Sequence, residues 1–238
     1  MKLDILAFSA HPDDVEISAG ATLLKYAKEG KRIGIVDLTS GELGTRGNAE
    51  TRMAEALEAS KKIGLTVREN LGLKDGFFEI NEVNKLAVIQ KIRKYQPTII
   101  LANSISDRHP DHGRAGQLIL EASFLSGLRK IETFEGSMQQ DVYRPSIVLH
   151  YIQDNYIKPD VVMDVTDFVE EKIELIKCFK TQFYDPKSGD PETPISGVEF
   201  FDFLRGRMLS HGRSIGVTSA EGFNTSRQLG ISDLFHLK

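Results

Sequence analysis

The feature that most constrains this chain is an alternation of two hydrophobic periods, one of strands and one of helices, through roughly its first hundred residues. Leu3–Ala10 is an apolar run of strand length. Val15–Lys28 carries helical spacing and ends before Gly30, the residue favoured just past a helix C-terminus. Ile33–Leu38 is a second strand-like run, and Ala49–Ile63 returns to helical spacing through Met53, Ala56, Leu57 and Ile63, closed by Gly64. Val67–Leu71 reads as a weaker strand. Val83–Tyr95 reads as a helix with Leu86, Ile89 and Ile92 on one side, and Pro97 separates it from the apolar run Thr98–Ala102. Strands that alternate with helices are joined by right-handed crossovers and therefore lie parallel. The expected fold is α/β: a Rossmann-like, doubly wound, mostly parallel sheet with helices on both faces. Ligands of such sheets bind beyond the strand C-termini, where the strand order reverses, and in the common order 3-2-1-4 that point lies between the first and fourth strands. Chemistry is expected just after Ala10 and just after Ala102.

With 238 residues and 40% hydrophobic content, the chain is read as a single domain over 1–238. Residues 1–130 form the regular core that carries the site, and residues 131–238 add strands, a loop and helices that complete the pocket. In that second part Ser146–Ile152 and Val161–Val165 read as strands, and Asp167–Phe179 and Phe200–Ser210 as helices. Tyr184–Gly197, with three prolines and two glycines, reads as a loop and a candidate flap over the site. A net charge of −4 gives no broad positive field, so nucleic acid and anionic membrane are not expected partners, and a small molecule is. Met1 leads directly into the first strand with no basic, apolar leader, which reads as a cytoplasmic protein. The single cysteine, Cys178, excludes a disulfide framework and an all-thiolate zinc site, and reads as a small apolar residue rather than a nucleophile.

Two clusters stand where the fold places a site. Ser9-Ala10-His11-Pro12-Asp13-Asp14-Val15-Glu16 follows the first strand, and Asp107-Arg108-His109-Pro110-Asp111-His112 follows the fourth. A catalytic zinc takes three nitrogen or oxygen ligands and keeps one open position. His11 and Asp14, three apart on a strand-to-helix turn, can point at one ion while Asp13 points elsewhere. His109 and His112 have the same spacing, so one can ligate while the other faces a substrate. Helix capping by the aspartates explains either cluster alone. Two clusters at neighbouring strand ends favour a site.

These residues resemble a known family. AHPDD at Ala10–Asp14 and HPDH at His109–His112 are similar to the paired signatures of the PIG-L/LmbE-like zinc deacetylases, which remove acetyl groups from N-acetylglucosamine derivatives. The likeness continues through Leu38–Gly47, Arg52 and Gly216–Phe235. The DRHPDH form and the tail look most like the bacillithiol-pathway branch, which deacetylates N-acetylglucosaminyl malate. The resemblance implies one Zn2+ per chain held by His11, Asp14 and His112, with Asp13 as general base and His109 assisting the transition state. It also implies an amino-sugar substrate and a homo-oligomer, up to a hexamer. Three such ligands would equally suit Fe2+, Co2+ or Mn2+. Asp111, two residues from His109, is expected to accept a ring N–H from it and orient the imidazole. Many relatives carry a tyrosine shortly before HPDH that helps polarise the carbonyl; Asn103–Arg108 has none, which leaves Tyr151, Tyr156 and Tyr184 as candidate substitutes.

An anionic aglycone such as malate calls for guanidinium groups near the pocket rim. Arg46 and Arg52, in and after the loop that follows the second strand, are the expected ones, Arg52 by similarity to the family. Asp75-Gly76 is a turn that could reach sugar hydroxyls, and Gln182, Arg205, Arg207 and His211 are further candidates for the wall. Three other functions fit the architecture. Nucleotide binding lacks a G-x-G-x-x-G turn and would set phosphate against two acids. A phosphoesterase typically needs two metals and more carboxylates. A metal-binding scaffold has no use for the unliganded Asp13.

Overall fold

The computed structural model describes residues 1–183, 185 and 188–237, with the backbone alone at residue 236. The alternating runs form β1 (Ile5–Ser9), α1 (Asp14–Lys28), β2 (Ile33–Asp37), α2 (Ala49–Ile63), β3 (Val67–Asn70), α3 (Glu82–Tyr95) and β4 (Ile99–Ala102). Then come α4 (Pro110–Leu125), a hairpin of β5 (Phe134–Glu135) and β6 (Met138–Gln139), β7 (Ile147–Tyr151), β8 (Val161–Asp164), α5 (Val169–Ile176), α6 (Glu199–Ser214) and β9 (Ala220–Asn224). Seven strands make one sheet in the order β3-β2-β1-β4-β7-β9-β8. The first five in that order pair in parallel, Ile5 lying opposite Ile33 on one side and Ile99 on the other. The doubly wound expectation holds, with β1 beside β4 at the reversal.

Alternation along the strands builds the two faces. Ile5, Ala7, Ile33, Ile35 and Leu101 point to one core with α1, α2, α5 and α6, while Leu6, Phe8, Val36, Ile100 and Ala102 point to another with α3 and α4. Both β1 and β2 are buried throughout, which is why they read as unbroken apolar runs.

Beyond β4 the structure departs from the sequence reading at several elements, the β5–β6 hairpin among them. β9 was not anticipated, and it pairs antiparallel with both β7 and β8. Its sequence, AEGFN, lacks the β-branched residues that announce a strand, yet all five residues are buried. The helix expected over Asp167–Phe179 is a 3-10 turn, Thr166–Phe168, running into the shorter α5. α4, opened by Pro110 at its first turn, was not singled out. The candidate flap falls partly outside the described residues, at 184, 186 and 187; its Ile195 lines the cavity described below. No helix among the described residues is long and apolar enough to cross a membrane.

Candidate active site

The β1–α1 turn and the start of α4 face each other across the C-terminal ends of β1 and β4, and a cavity of about 250 Å³ opens there. His11, Asp13, Asp14, His109 and His112 all line it. The ring centroids of His11 and His109 are 4.7 Å apart, those of His109 and His112 5.1 Å, and those of His11 and His112 5.5 Å.

Asp14 stands between two of these histidines. Its Oδ1 lies 3.1 Å from His112 Nε2, and its Oδ2 lies 3.7 Å from His11 Nδ1. The carboxylate is fixed by donors from three elements: the His11 backbone N–H, Asn103 Nδ2 after β4 and Gln153 Nε2 after β7. Each histidine uses its other nitrogen on a different carboxylate. His11 Nε2 is 3.0 Å from Asp75 Oδ1, and His112 Nδ1 is 2.5 Å from Asp107 Oδ2. With a cation in place, those bonds would hold the protons on the outer nitrogens and turn the lone pairs of His11 Nδ1 and His112 Nε2 towards it beside Asp14, the arrangement that backs metal-ligating histidines. His109 has the opposite polarity: its Nδ1 accepts from the Asp111 backbone N–H at 3.3 Å, so its Nε2 carries the proton. Ligand atoms of His11, His109 and His112 lie within 4.8 Å of one another, as do those of His11, Asp75 and Asp111. The tautomers favour a set containing Asp14 over either, since His109 presents a donor and Asp75 and Asp111 are spent on Leu43 N, Gly76 N and Arg114.

The electrostatics agree. Burial alone would depress both His11 and His112, but the hydrogen bonds that His11 donates to Asp111 and Asp75 raise it to about 9, and Asp14 with Asp107 raises His112 to about 10. A site that draws protons so strongly draws a divalent cation by the same field, and the two compete. His109 is shifted the other way, by burial and by its two neighbouring imidazoles, which disfavour its charged form.

Asp13 is the outlier. It precedes α1 at φ 122°, ψ −27°, a conformation that side chains other than glycine rarely take, and its carboxylate does not cap the helix. Burial raises it to about 7, against the opposing charge of Arg52. Arg52 Nη2 donates to Asp13 Oδ2 at 3.1 Å and to Pro12 O at 2.8 Å, while Nη1 donates to Gly41 O at 3.0 Å. Gly41, at φ +64°, is required for that approach, because a Cβ there would sit 1.8 Å from Arg52 Nη1. Capping therefore does not explain this aspartate. A buried carboxyl held near neutrality beside a cation site can exchange a proton with a reacting molecule.

Several expectations need correcting. The Asp111 carboxylate does not touch His109; it accepts from Gly76 N and Arg114 and approaches His11 Nε2 at 3.5 Å. Arg52 is on the cavity wall, but its guanidinium is turned to Asp13 rather than to open space. Arg46 is buried, bound to Ser188, and off that wall. Tyr151 is buried with its hydroxyl on Phe8 O, Tyr156 is exposed away from the cavity, and Tyr184 lies outside the described residues. Gln182 and Arg207 do line the cavity, unlike Arg205 and His211. Sequence reasoning placed Asp107 in the second cluster without a role and missed Asn103 and Gln153; these are the groups that hold Asp14 and His112. Asp107 and Asn103 stand close to the HPDH motif, but nothing in the sequence marks Gln153.

Residues 6–123 match the family profile described as PIG-L: GlcNAc-PI de-N-acetylase. A 1D-myo-inositol 2-acetamido-2-deoxy-alpha-D-glucopyranoside deacetylase from Acidothermus cellulolyticus is 39% identical over 271 aligned positions, which cover 89% of this chain and 92% of that protein. A diacetylchitobiose deacetylase from Thermococcus kodakarensis is 26% identical, covering 92% of this chain and 81% of its own. Among solved structures, that of a conserved protein from Thermus thermophilus superposes with a TM-score of 0.84 at 30% identity, covering 97% of this chain and 98% of the other. With that identity sustained over nearly the full length of the Acidothermus enzyme, this chain belongs to the PIG-L family of de-N-acetylases.

Proposed function

We propose that the chain hydrolyses the N-acetyl group of an N-acetylglucosamine conjugate, that the conjugate is N-acetylglucosaminyl malate of bacillithiol biosynthesis, and that the metal is one Zn2+ per chain. The observation that carries the reading is Asp13: a buried, strained carboxyl that caps nothing, next to His11, Asp14 and His112. The donor set fits a single small divalent cation, with two imidazole lone pairs flanking one carboxylate and the outer nitrogens held by Asp75 and Asp107. When bound, the ion supplies the Lewis acidity that an amide, a poor electrophile, requires.

The chain's own groups then divide the proton transfers. Asp13 takes a proton from the attacking water as its oxygen bonds to the acetyl carbon. His109 Nε2–H donates to the carbonyl oxygen as negative charge develops there. The C–N bond breaks as the proton held by Asp13 passes to the departing nitrogen, giving acetate and a free amine. Arg52 keeps Asp13 in place throughout. Support for malate over other aglycones comes from the DRHPDH form and the tail, and from the arginines on the cavity wall.

The test is Asp13→Ala, with metal content and release of amine and acetate measured together. The metal should stay, and kcat should fall by roughly a hundredfold or more. Loss of the metal with normal turnover on reconstitution would reverse the base and ligand roles. Two tightly held ions per chain would favour a phosphoesterase. Parallel assays on malate-linked and inositol-linked N-acetylglucosamine decide the aglycone.

A further inference from the structure

Three arginines line the cavity among the described residues, and they differ in what already holds them. Arg52 is bound to Pro12, Gly41 and Asp13, and Arg108 pairs with Asp154. Arg207, on α6, has no such partner: its Nη1 is sealed from solvent and meets no acceptor among the described residues. The ring of Phe203 lies 5.1 Å from its Cζ, which accommodates the flat guanidinium but satisfies none of its N–H groups.

The reason Arg207 is left over lies in its neighbours. The acids whose charge reaches it are Glu221, Asp154 and Asp107, and each is committed elsewhere. Glu221 accepts from Lys172 Nζ and Thr22 Oγ1, both at 2.6 Å, and from the Thr22 and Ala21 backbone. Asp154 holds Arg108, and Asp107 holds His112 Nδ1 and the Asn155 backbone. A half-buried guanidinium with one N–H group shut off from both water and any acceptor is costly and uncommon. A second unpaired donor lines the same cavity: Ser18 Oγ, 4% exposed, one turn beyond Asp14 on α1. Apolar Ile195, Phe200 and Phe203 share the wall with Arg207, and a charge interaction beside them is less weakened by water.

We propose that Arg207, with Ser18, forms an anion-binding subsite of the substrate pocket, which takes a carboxylate or phosphate group carried on the substrate away from its acetamido group. The proposal rests on the amide-hydrolase reading above, and it moves anion recognition from Arg46 and Arg52 to a residue of α6. Arg207 is then a specificity-determining residue. A guanidinium offers paired N–H donors that match either anion, and a hydroxyl adds one more.

The test compares three substrates that share one sugar: N-acetylglucosaminyl malate, N-acetylglucosamine 1-phosphate and the neutral methyl N-acetylglucosaminide. Arg207→Gln should raise KM for an anionic substrate about ten- to hundredfold more than for the neutral one. Arg207→Lys should recover part of that difference, since it keeps the charge and loses the fork. Whichever anion shows the larger selective loss names the group. Equal losses on all three, or no loss on either anion, would overturn the proposal and leave Arg207 a packing residue. Calorimetric titration of the same compounds separates this proposal from the catalytic one. If the unaltered protein cleaves none of them, the hydrolase reading fails, yet binding of an anionic glycoside that weakens in Arg207→Gln still supports the subsite, and binding indifferent to Arg207 removes it. Should the Arg207 variants not fold, Ser18→Ala carries the same comparison, with a smaller selective loss expected and none overturning the idea.

Discussion

Asp13 occupies a backbone conformation that costs about 1–3 kcal/mol and persists only where surrounding contacts over-determine it. Arg52 supplies much of that constraint, because one guanidinium ties together the carbonyl of Pro12, the carbonyl of Gly41 and the carboxylate of Asp13. Removing it should therefore disturb the carboxyl proposed as general base rather than the grip on an aglycone. For Arg52→Ala we expect kcat to fall by roughly tenfold or more, equally on malate-linked and neutral N-acetylglucosamine. Arg52→Lys should rescue little, since an ammonium cannot hold three acceptors in that fork. Steady-state kinetics on the two substrates decides it: a loss confined to KM for the malate conjugate would return Arg52 to substrate recognition. The contrast with Arg207, whose loss should depend on substrate charge, separates a positioning arginine from a binding one.

At the scale of elements, the site depends on how closely α4 approaches the end of β4. A Cβ on Gly116 would lie 2.8 Å from both Asn103 O and Ser104 O, backbone atoms that cannot swing aside. Asn103 in turn holds Asp14 through its side chain, and α4 carries His112 at its start. Gly116→Ala should push helix and loop apart, at about 1–3 kcal/mol of stability. For a chain of this size that corresponds to a fall in Tm of roughly 2–4 °C per kcal/mol. Turnover should drop as well at temperatures where the variant is still folded, as checked by circular dichroism beside the assay. An unchanged Tm would mean that the approach is looser than the distances say. The same elements explain what was legible. β1, β2 and most of β4 are parallel strands buried in apolar runs, with only the half-buried, polar β3 less plainly marked, so their type, order and the position of the site follow from periodicity. His11, Asp13, Asp14, His109 and His112 were legible because their motifs stand at those strand ends. β9 was not, because Glu221 and Asn224 are polar side chains whose burial depends on partners far away in the chain. Arg207 was legible only as a candidate, since its lack of a partner is a property of the assembled cavity.

Over the whole molecule, the two halves of the chain are joined by a buried charge. Glu221 of β9 accepts from Lys172 of α5 and from Ala21 and Thr22 of α1, so the last strand is tied to the first helix. Lys172 and Glu221 have side-chain exposures of 2% and 1%, and the two ways of breaking their pair are not equivalent. In Lys172→Met the Glu221 carboxylate keeps the two backbone N–H groups and the Thr22 hydroxyl. In Glu221→Gln the Lys172 ammonium is left buried with no counter-charge, which costs about 3–5 kcal/mol. Glu221→Gln should therefore be the more destabilising variant in urea unfolding at neutral pH, although it is the more conservative in shape. The pH dependence gives a second check. Burial already lowers the Lys172 pKa in the folded protein, and removing Glu221 takes away the charge that raises it, so the pKa falls further. The unfolded chain, with Lys172 near its ordinary value of about 10.4, then binds more protons than the folded one across the window between the two values. Stability of Glu221→Gln relative to the unaltered protein should accordingly rise with pH through that window, as Lys172 becomes neutral and its desolvation cost disappears. Lys172→Met has no such group and should show no recovery from this source. Equal destabilisation by the two variants, with parallel pH profiles, would mean that water or another acceptor reaches Lys172 and that the pair does not bind the halves together.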